Sequence, residues 1–335
     1  MHTAVAVNKI NSIQILLEYG ANLESKNING DTPLHVAASK GDNDVLRLLL
    51  SNKININSQN NVNNTPMHTA VAVNKINSIQ ILLEYGANLE SKNINGDTPL
   101  HVAASKGDND NTAPIWNPKI LMAILHYTWQ LLRNNDVLRL LLSNKININS
   151  QNNVNNTPMH TAVAVNKINS IQILLEYGAN LESKNINGDT PLHVAASKGD
   201  NDVLRLLLSN KININSQNNV NNTPMHTAVA VNKINSIQIL LEYGANLESK
   251  NINGDTPLHV AASKGDNDVL RLLLSNKINI NSQNNVNNTP MHTAVTVNKI
   301  NSIQILLEYG ANLESKNING DTPLHVAASK ETMMC

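Results

Sequence analysis

Residues 32–40 read Thr-Pro-Leu-His-Val-Ala-Ala-Ser-Lys, and the same stretch returns at Thr98, Thr190, Thr256 and Thr322. A sister stretch, Thr-Pro-Met-His-Thr-Ala-Val, opens at Thr65, Thr157, Thr223 and Thr289. The step from Thr32 to Thr65, and again from Thr65 to Thr98, is 33 residues. Two repeat types therefore alternate. A fixed period of this length marks a stack of short supersecondary units rather than a chain folded around one central core. The copies are almost identical; Thr296 standing where Ala72 stands is a rare difference. The one break is the step of 59 residues from Thr98 to Thr157, which leaves an insert of 26 residues.

Each repeat carries the local signals of two short helices. Thr32 is suited to cap a helix and Pro33 to the first helical position, where the missing N–H costs nothing. Leu34 to Ala38 supply a short apolar stretch, and Gly41 ends it in the left-handed region. A second helix is expected from Asp44, with Val45, Leu46, Leu48, Leu49 and Leu50 on its buried side. A polar segment, Asn52 to Asn64, follows, with Ile54, Ile56 and Val62 as its apolar anchors. In the sister repeat, Thr65 and Pro66 open a helix to about Val73, and a second runs from about Ser78 to Tyr85. Gly86 stops that helix, and Asn95-Gly96 marks a tight turn. One such pair cannot bury its apolar face alone, so neighbours must stack.

These residues resemble the ankyrin repeat. The family's Thr-Pro-Leu-His-x-Ala-Ala core stands here as Thr32, Pro33, Leu34, His35, Ala37 and Ala38, and again as Thr65, Pro66 and His68 with Met67 in place of Leu. Its Leu-Leu-x-x-Gly-Ala element stands as Leu82, Leu83, Gly86 and Ala87. The resemblance implies an all-α solenoid of helix–turn–helix units with projecting hairpin loops. It also implies that Thr32, Pro33, His35, Thr65, Pro66 and His68 are structural. Two departures stand out. The Thr32 type has Lys53-Ile54 where the family has Gly-Ala, and Asn52 is expected to take over the left-handed role. The Thr65 type has Asn74 in place of the glycine between the helices, which invites the same reading.

Eight complete repeats open at Thr32, Thr65, Thr98, Thr157, Thr190, Thr223, Thr256 and Thr289. Residues 1–110 hold a partial first unit, the units from Thr32 and Thr65, and the start of the Thr98 unit. Residues 111–136 form the insert, and residues 137–335 resume the array, closing in a partial unit from Thr322. Neither end carries a polar capping repeat, so the chain reads as a piece of a longer array.

The insert has a simple origin. Residues 115–133 read IWNPKILMAILHYTWQLLR. The repeat peptide NLESKNINGDTPLHVAASKG, written in suitable synonymous codons and translated one base out of frame, gives that stretch without mismatch. The segment is read as a frame-shifted copy of the repeat, looped out of the array.

Composition narrows the function classes. Lys+Arg 25 against Asp+Glu 25 removes the electrostatic case for nucleic acid or an anionic membrane surface. With aromatics at 2% and no Phe, the core must be aliphatic. The single Cys335 leaves no disulfide framework or cysteine metal site. No apolar run is long enough to span a membrane, and no leader pattern opens the chain. The reading is a soluble, cytoplasmic monomer, with the nucleus left open. Heavy use of Asn, Lys and Ile reads most economically as the product of AT-rich codons.

No catalytic or cofactor site is expected. Ten of the eleven histidines, from His2 to His325, hold the same place in the repeat, and His126 belongs to the insert. Stacked helices lie about 10 Å apart, too far for shared metal coordination with bonds of about 2 Å. The pairs Asp42/Asp44 and Glu84/Glu90 have no nucleophile or metal beside them. The resemblance implies instead a protein-binding scaffold acting through a concave groove. Its binding residues would be Val36, Ser39 and Lys40, then Thr69, Ala72 and Val73, and at the fingertips Lys92, Asn93, Ile94 and Asn95. These positions barely vary between copies, which suits a repetitive or extended protein partner. The alternatives are a segment of a larger enzyme, ubiquitin-ligase adaptor or membrane channel, or a recently duplicated fragment not tuned to any partner.

Overall fold

In the computed structural model, residues 1–106 and 136–333 are described. They form helices α1 (His2–Ala6), α2 (Ile10–Glu18), α3 (Pro33–Lys40), α4 (Asn43–Ser51), α5 (Pro66–Ala72), α6 (Ile76–Glu84) and α7 (Pro99–Lys106). Next come α8 (136–143), α9 (Pro158–Ala164) and α10 (Ile168–Glu176). The chain continues with α11 (Pro191–Lys198), α12 (Asn201–Leu208), α13 (Pro224–Ala230), α14 (Ile234–Glu242) and α15 (Pro257–Lys264). It closes with α16 (Asn267–Leu274), α17 (Pro290–Thr296), α18 (Ile300–Glu308) and α19 (Pro323–Met333). No strand occurs among the described residues. The insert expected at residues 111–136 falls, up to residue 135, outside the described residues.

Two compact bodies are present, Met1–Asn180 and Leu181–Cys335. In the first, α1, α3, α5, α7 and α9 pack side by side in chain order, and α2, α4, α6 and α10 each pair with the first helix of their own repeat. In the second, α11, α13, α15, α17 and α19 form the same kind of row, backed by α12, α14, α16 and α18. Helices α7 and α9 pack directly although the insert lies between them in sequence. The register of the stack is therefore kept across the break.

Helices of 7–9 residues are too short to persist alone. Burial holds them. Leu34, Ala37, Ala38, Val45, Leu46 and Leu49 are fully buried in the Thr32 repeat, as are Ala70, Ile79 and Leu82 in its neighbour. At roughly 1.5–3 kcal/mol for each fully buried large aliphatic side chain, a few such contacts per repeat outweigh weak helix propensity. The second helix opens at Asn43, one residue before the Asp44 expected from sequence, because Asp42 takes the N-cap position. Asp44 lies in the first turn, where its charge complements the helix dipole. Leu48 is only half-buried, whereas Val45, Leu46, Leu49 and Leu50 face the core.

Gly41 closes α3 at φ 83°, and Asn74 holds the equivalent left-handed position at φ 56°. At the end of α4 the expectation is overturned. Asn52 stays at φ −94°, and Lys53 takes the left-handed conformation at φ 57°. The backbone path is set by stacking, so the residue aligned with Gly86 must bend whatever its side chain. Asn52 contributes differently: its Nδ2 donates to the Leu48 carbonyl at 2.7 Å, closing an open helix end.

Candidate functional site

The first helices are fixed by a histidine that ties each one to the residue leading into the next repeat. The Thr32 backbone N–H donates to His35 Nδ1 at 3.1 Å, so Nδ1 is unprotonated and Nε2 carries the hydrogen. Nε2 then donates at 2.9 Å to the carbonyl of Asn64, the last residue before the next repeat opens at Thr65. His68 reaches the Asp97 carbonyl at 3.0 Å, and His101 reaches the Asn156 carbonyl at 2.9 Å across the insert. In the second body His193, His226, His259 and His292 bind the carbonyls of Asn222, Asp255, Asn288 and Asp321. Burial pushes His35, His68, His101, His193, His226 and His259 below the ordinary imidazole value, with the carbonyl bond partly opposing it. Thr32 and Thr65 hold the N-cap positions of α3 and α5, with Pro33 and Pro66 next and His35 and His68 closing the capping box.

The loops end in tight, self-bonded fingertips. Asn93 N–H donates to the Asp97 carbonyl at 3.0 Å, and Gly96 N–H to the Asn93 carbonyl at 2.9 Å. The Asn93 side-chain oxygen accepts from the N–H groups of Asn95 and Asp97, both at 3.0 Å. Its amide nitrogen donates to Asn64 Oδ1 in the preceding repeat at 3.2 Å. Asn60 repeats the pattern, with Nδ2 on Asp31 Oδ1 at 2.8 Å. Backbone bonds link neighbouring tips: Asn61 N–H to the Asn29 carbonyl, Ile94 N–H to Val62 and Asn153 N–H to Asn95. The recurrent asparagines, read from sequence as a codon bias, thus form a ladder through each body.

Against this frame the expected binding residues divide. Val36, Ser39 and Thr69 are half-buried, and the hydroxyls of Ser39 and Thr69 bond to carbonyls of their own helices. Lys40, Ala72, Val73, Ile94 and Asn95 are exposed. Asn93 is half-buried and occupied within the tip. Lys92 reaches the Gln151 carbonyl of the next repeat at 2.7 Å. The aliphatic tips stay open: Val62, Ile94 and Val154 are 45%, 57% and 46% exposed. Sequence reasoning missed Arg47, whose guanidinium pairs with Glu84 of the next repeat at 2.8 Å, and missed a cleft lined by Lys40, Asn43, Lys75 and Ser78.

The carboxylates considered as acid–base pairs are committed elsewhere. Glu84 faces Arg47, and Glu90 accepts from the Asn147 N–H at 2.8 Å. Among the described residues no cluster of three His, Cys, Asp or Glu side chains is placed to hold a metal ion. No helix among them is long and apolar enough to cross a membrane.

Comparison with known proteins agrees with this architecture. A family model described as ankyrin repeats in three copies matches residues 1–93, 58–115, 125–218 and 213–284. A second, of ankyrin repeats in many copies, matches residues 273–327. Among solved structures, the ankyrin repeat domain of Bcl-3, a unique member of the IkappaB protein family, aligns at 26% identity with a TM-score of 0.55. The alignment covers 72% of this chain and 98% of that one. No curated protein sequence matches the chain.

Proposed function

The chain belongs to the ankyrin-repeat family, and from that premise we propose that it is a non-catalytic protein-interaction scaffold that binds through its first helices and fingertips. The contact residues on this reading are Val36, Ser39, Lys40, Thr69, Ala72, Val73 and the tip from Lys92 to Asn95, with their copies. The observation that carries it is the set of exposed aliphatic tips held on a bonded frame. Ile94 and Ile186 are both 57% exposed, and the backbone around Ile94 is fixed by the Asn93 and Val62 bonds. A surface ordered before binding loses little entropy on contact, so small patches suffice. Because each patch recurs with the repeat, a partner with a regularly spaced apolar motif gains affinity by multivalency.

The test is site-directed photo-crosslinking on the full chain, followed by mass spectrometry. Probes at Val73 or Ile94 are expected to capture the same partner peptides. Probes at Arg47 and Leu48 on the second helix should not. Capture from the second helices alone contradicts the surface assignment.

A further inference from the structure

The turns between the paired helices of neighbouring repeats enclose a cleft that the scaffold surface does not need. In the first body it measures about 340 Å³, and Lys40, Asn43, Lys75, Ile76, Asn77 and Ser78 line it. Two nine-residue helices begin there, α4 at Asn43 and α6 at Ile76, and neither N-terminus is closed by a side-chain cap. Their first-turn N–H groups have no partner within the helix, and each end carries partial positive charge. The Lys75 stem lies over Gly41, where a Cβ would meet its Cδ at 3.0 Å, and Lys75 lines the cleft together with Lys40. Asp42 and Asp44 stand at the start of α4 but do not line the cleft.

The wall itself asks for a ligand. Ser78 is 1% exposed and its Oγ has no hydrogen-bond partner; Asn43 Oδ1 is likewise unpartnered. Buried polar atoms are nearly always paired, so an orphaned hydroxyl on a residue of the cleft wall points to an absent group. The same residues recur in the second body as Lys198, Asn201, Lys233 and Ser236, then Lys264, Asn267, Lys299 and Ser302. There Asn201 Oδ1, Ser236 Oγ, Asn267 Oδ1 and Ser302 Oγ are again unpartnered.

We propose that each of these clefts binds a phosphoryl group. Two lysines, two helix N-termini without side-chain caps and a residue with an unpartnered buried hydroxyl share the wall of one cleft and offer donors. A tetrahedral phosphate offers acceptors in several directions, whereas a carboxylate offers two oxygens in one plane. Turning the Asn43 amide about its last torsion brings Nδ2 to face the same anion.

The full-length chain is titrated with inorganic phosphate, with N-acetylphosphoserine amide and with chloride at matched ionic strength, read by 31P NMR and thermal melting. Two variants accompany it: S78A/S236A/S302A, and K75M/K233M/K299M, which keeps the stem over the glycine. Saturable binding of a phosphoryl compound is expected, weakened at least tenfold in both variants. Tighter binding of the phosphoserine probe assigns the cleft to a phosphorylated partner, and tighter binding of inorganic phosphate assigns it to the free ion. Binding of neither, or a melting shift equal in wild type and both variants, overturns the proposal, since exclusion of phosphate from the protein surface also stabilises without a site. The proposal is independent of the scaffold reading: phosphate binding at Ser78 and crosslinking at Val73 succeed or fail separately.

Discussion

Replacing Lys53 by glycine is expected to stabilise the protein. Lys53 is held at φ 57°, and its copies Lys145, Lys211 and Lys277 at 55°, 54° and 52°. A residue with a Cβ pays about 1–2 kcal/mol in the left-handed region. Glycine removes that cost but returns about 0.4–1 kcal/mol through the greater freedom of the unfolded chain. The net gain is about 0.5–1 kcal/mol per site. Nothing offsets it in the fold, because Lys53 is exposed, and at the aligned Gly86 an added Cβ would meet no atom within 4 Å. The four sites lie two repeats or more apart, so their effects should add to about 2–4 kcal/mol. Urea unfolding followed by circular dichroism reads the change as a higher midpoint at unchanged slope. The reverse change, Gly86→Lys, should cost a similar amount. If K53G/K145G/K211G/K277G unfolds at the wild-type midpoint or below it, the strain assigned to these lysines is absent.

Other expectations follow from the same frame. Gly96→Ala should destabilise by about 2–4 kcal/mol in urea unfolding, since it adds left-handed strain to overpacking. Its Cβ would overlap Asn153 Oδ1 and stand 2.5 Å from the Asn153 backbone nitrogen. Acid should loosen the stack through its histidines. The folded pKa values of His35, His68, His101, His193, His226 and His259 lie below the ordinary 6.5 because burial penalises the charged ring, so the unfolded chain takes protons first. Stability is therefore full above about pH 6.5 and falls as pH drops from there to the lower folded values, where the loss levels off. Melting temperatures between pH 8 and pH 5 check this, and a flat profile contradicts it. The genomic sequence across Ile115–Arg133 should align with the repeat DNA one base out of frame, and codons that cannot be so aligned contradict the origin given for the insert.

Period and cap residues made the helices legible. Thr32, Pro33 and Gly41 carry their conformations in their own chemistry, so the first helix was placed closely. Asn52 and Lys53 show where such reasoning stops. Intrinsic preference favours asparagine in the left-handed region, but the turn is imposed by the stack, and lysine occupies it at a strain cost. In the sequence the asparagine ladder shows only as asparagines recurring at fixed loop positions. Its logic needs the next repeat: Asn60 matters because Asp31 stands opposite it, and Gly30 because Asn61 folds over it, with Nδ2 on the Ile28 carbonyl at 3.0 Å. This also gives the alternation of repeat types a physical reason, since a glycine tip in one is covered by an asparagine in the next. The cleft at Ser78 could not be read either, because Lys40 and Ser78 lie far apart in sequence and meet only when repeats dock. Of the expected binding residues, Ala72 at the end of α5 and Val73 just after it are exposed, whereas Asn93 is occupied within its own tip, which only the folded loop reveals.

The most direct test of stacking is the protonation state of the repeat histidines, because the Nε2 partner is always the residue that leads into the capping threonine of the next repeat. Long-range 1H–15N correlation NMR at neutral pH separates protonated from bare ring nitrogens. His35, His68, His101, His193, His226, His259 and His292 should each show a bare Nδ1 and a slowly exchanging Nε2–H. Averaged signals typical of free imidazole would mean that the repeats do not dock as described.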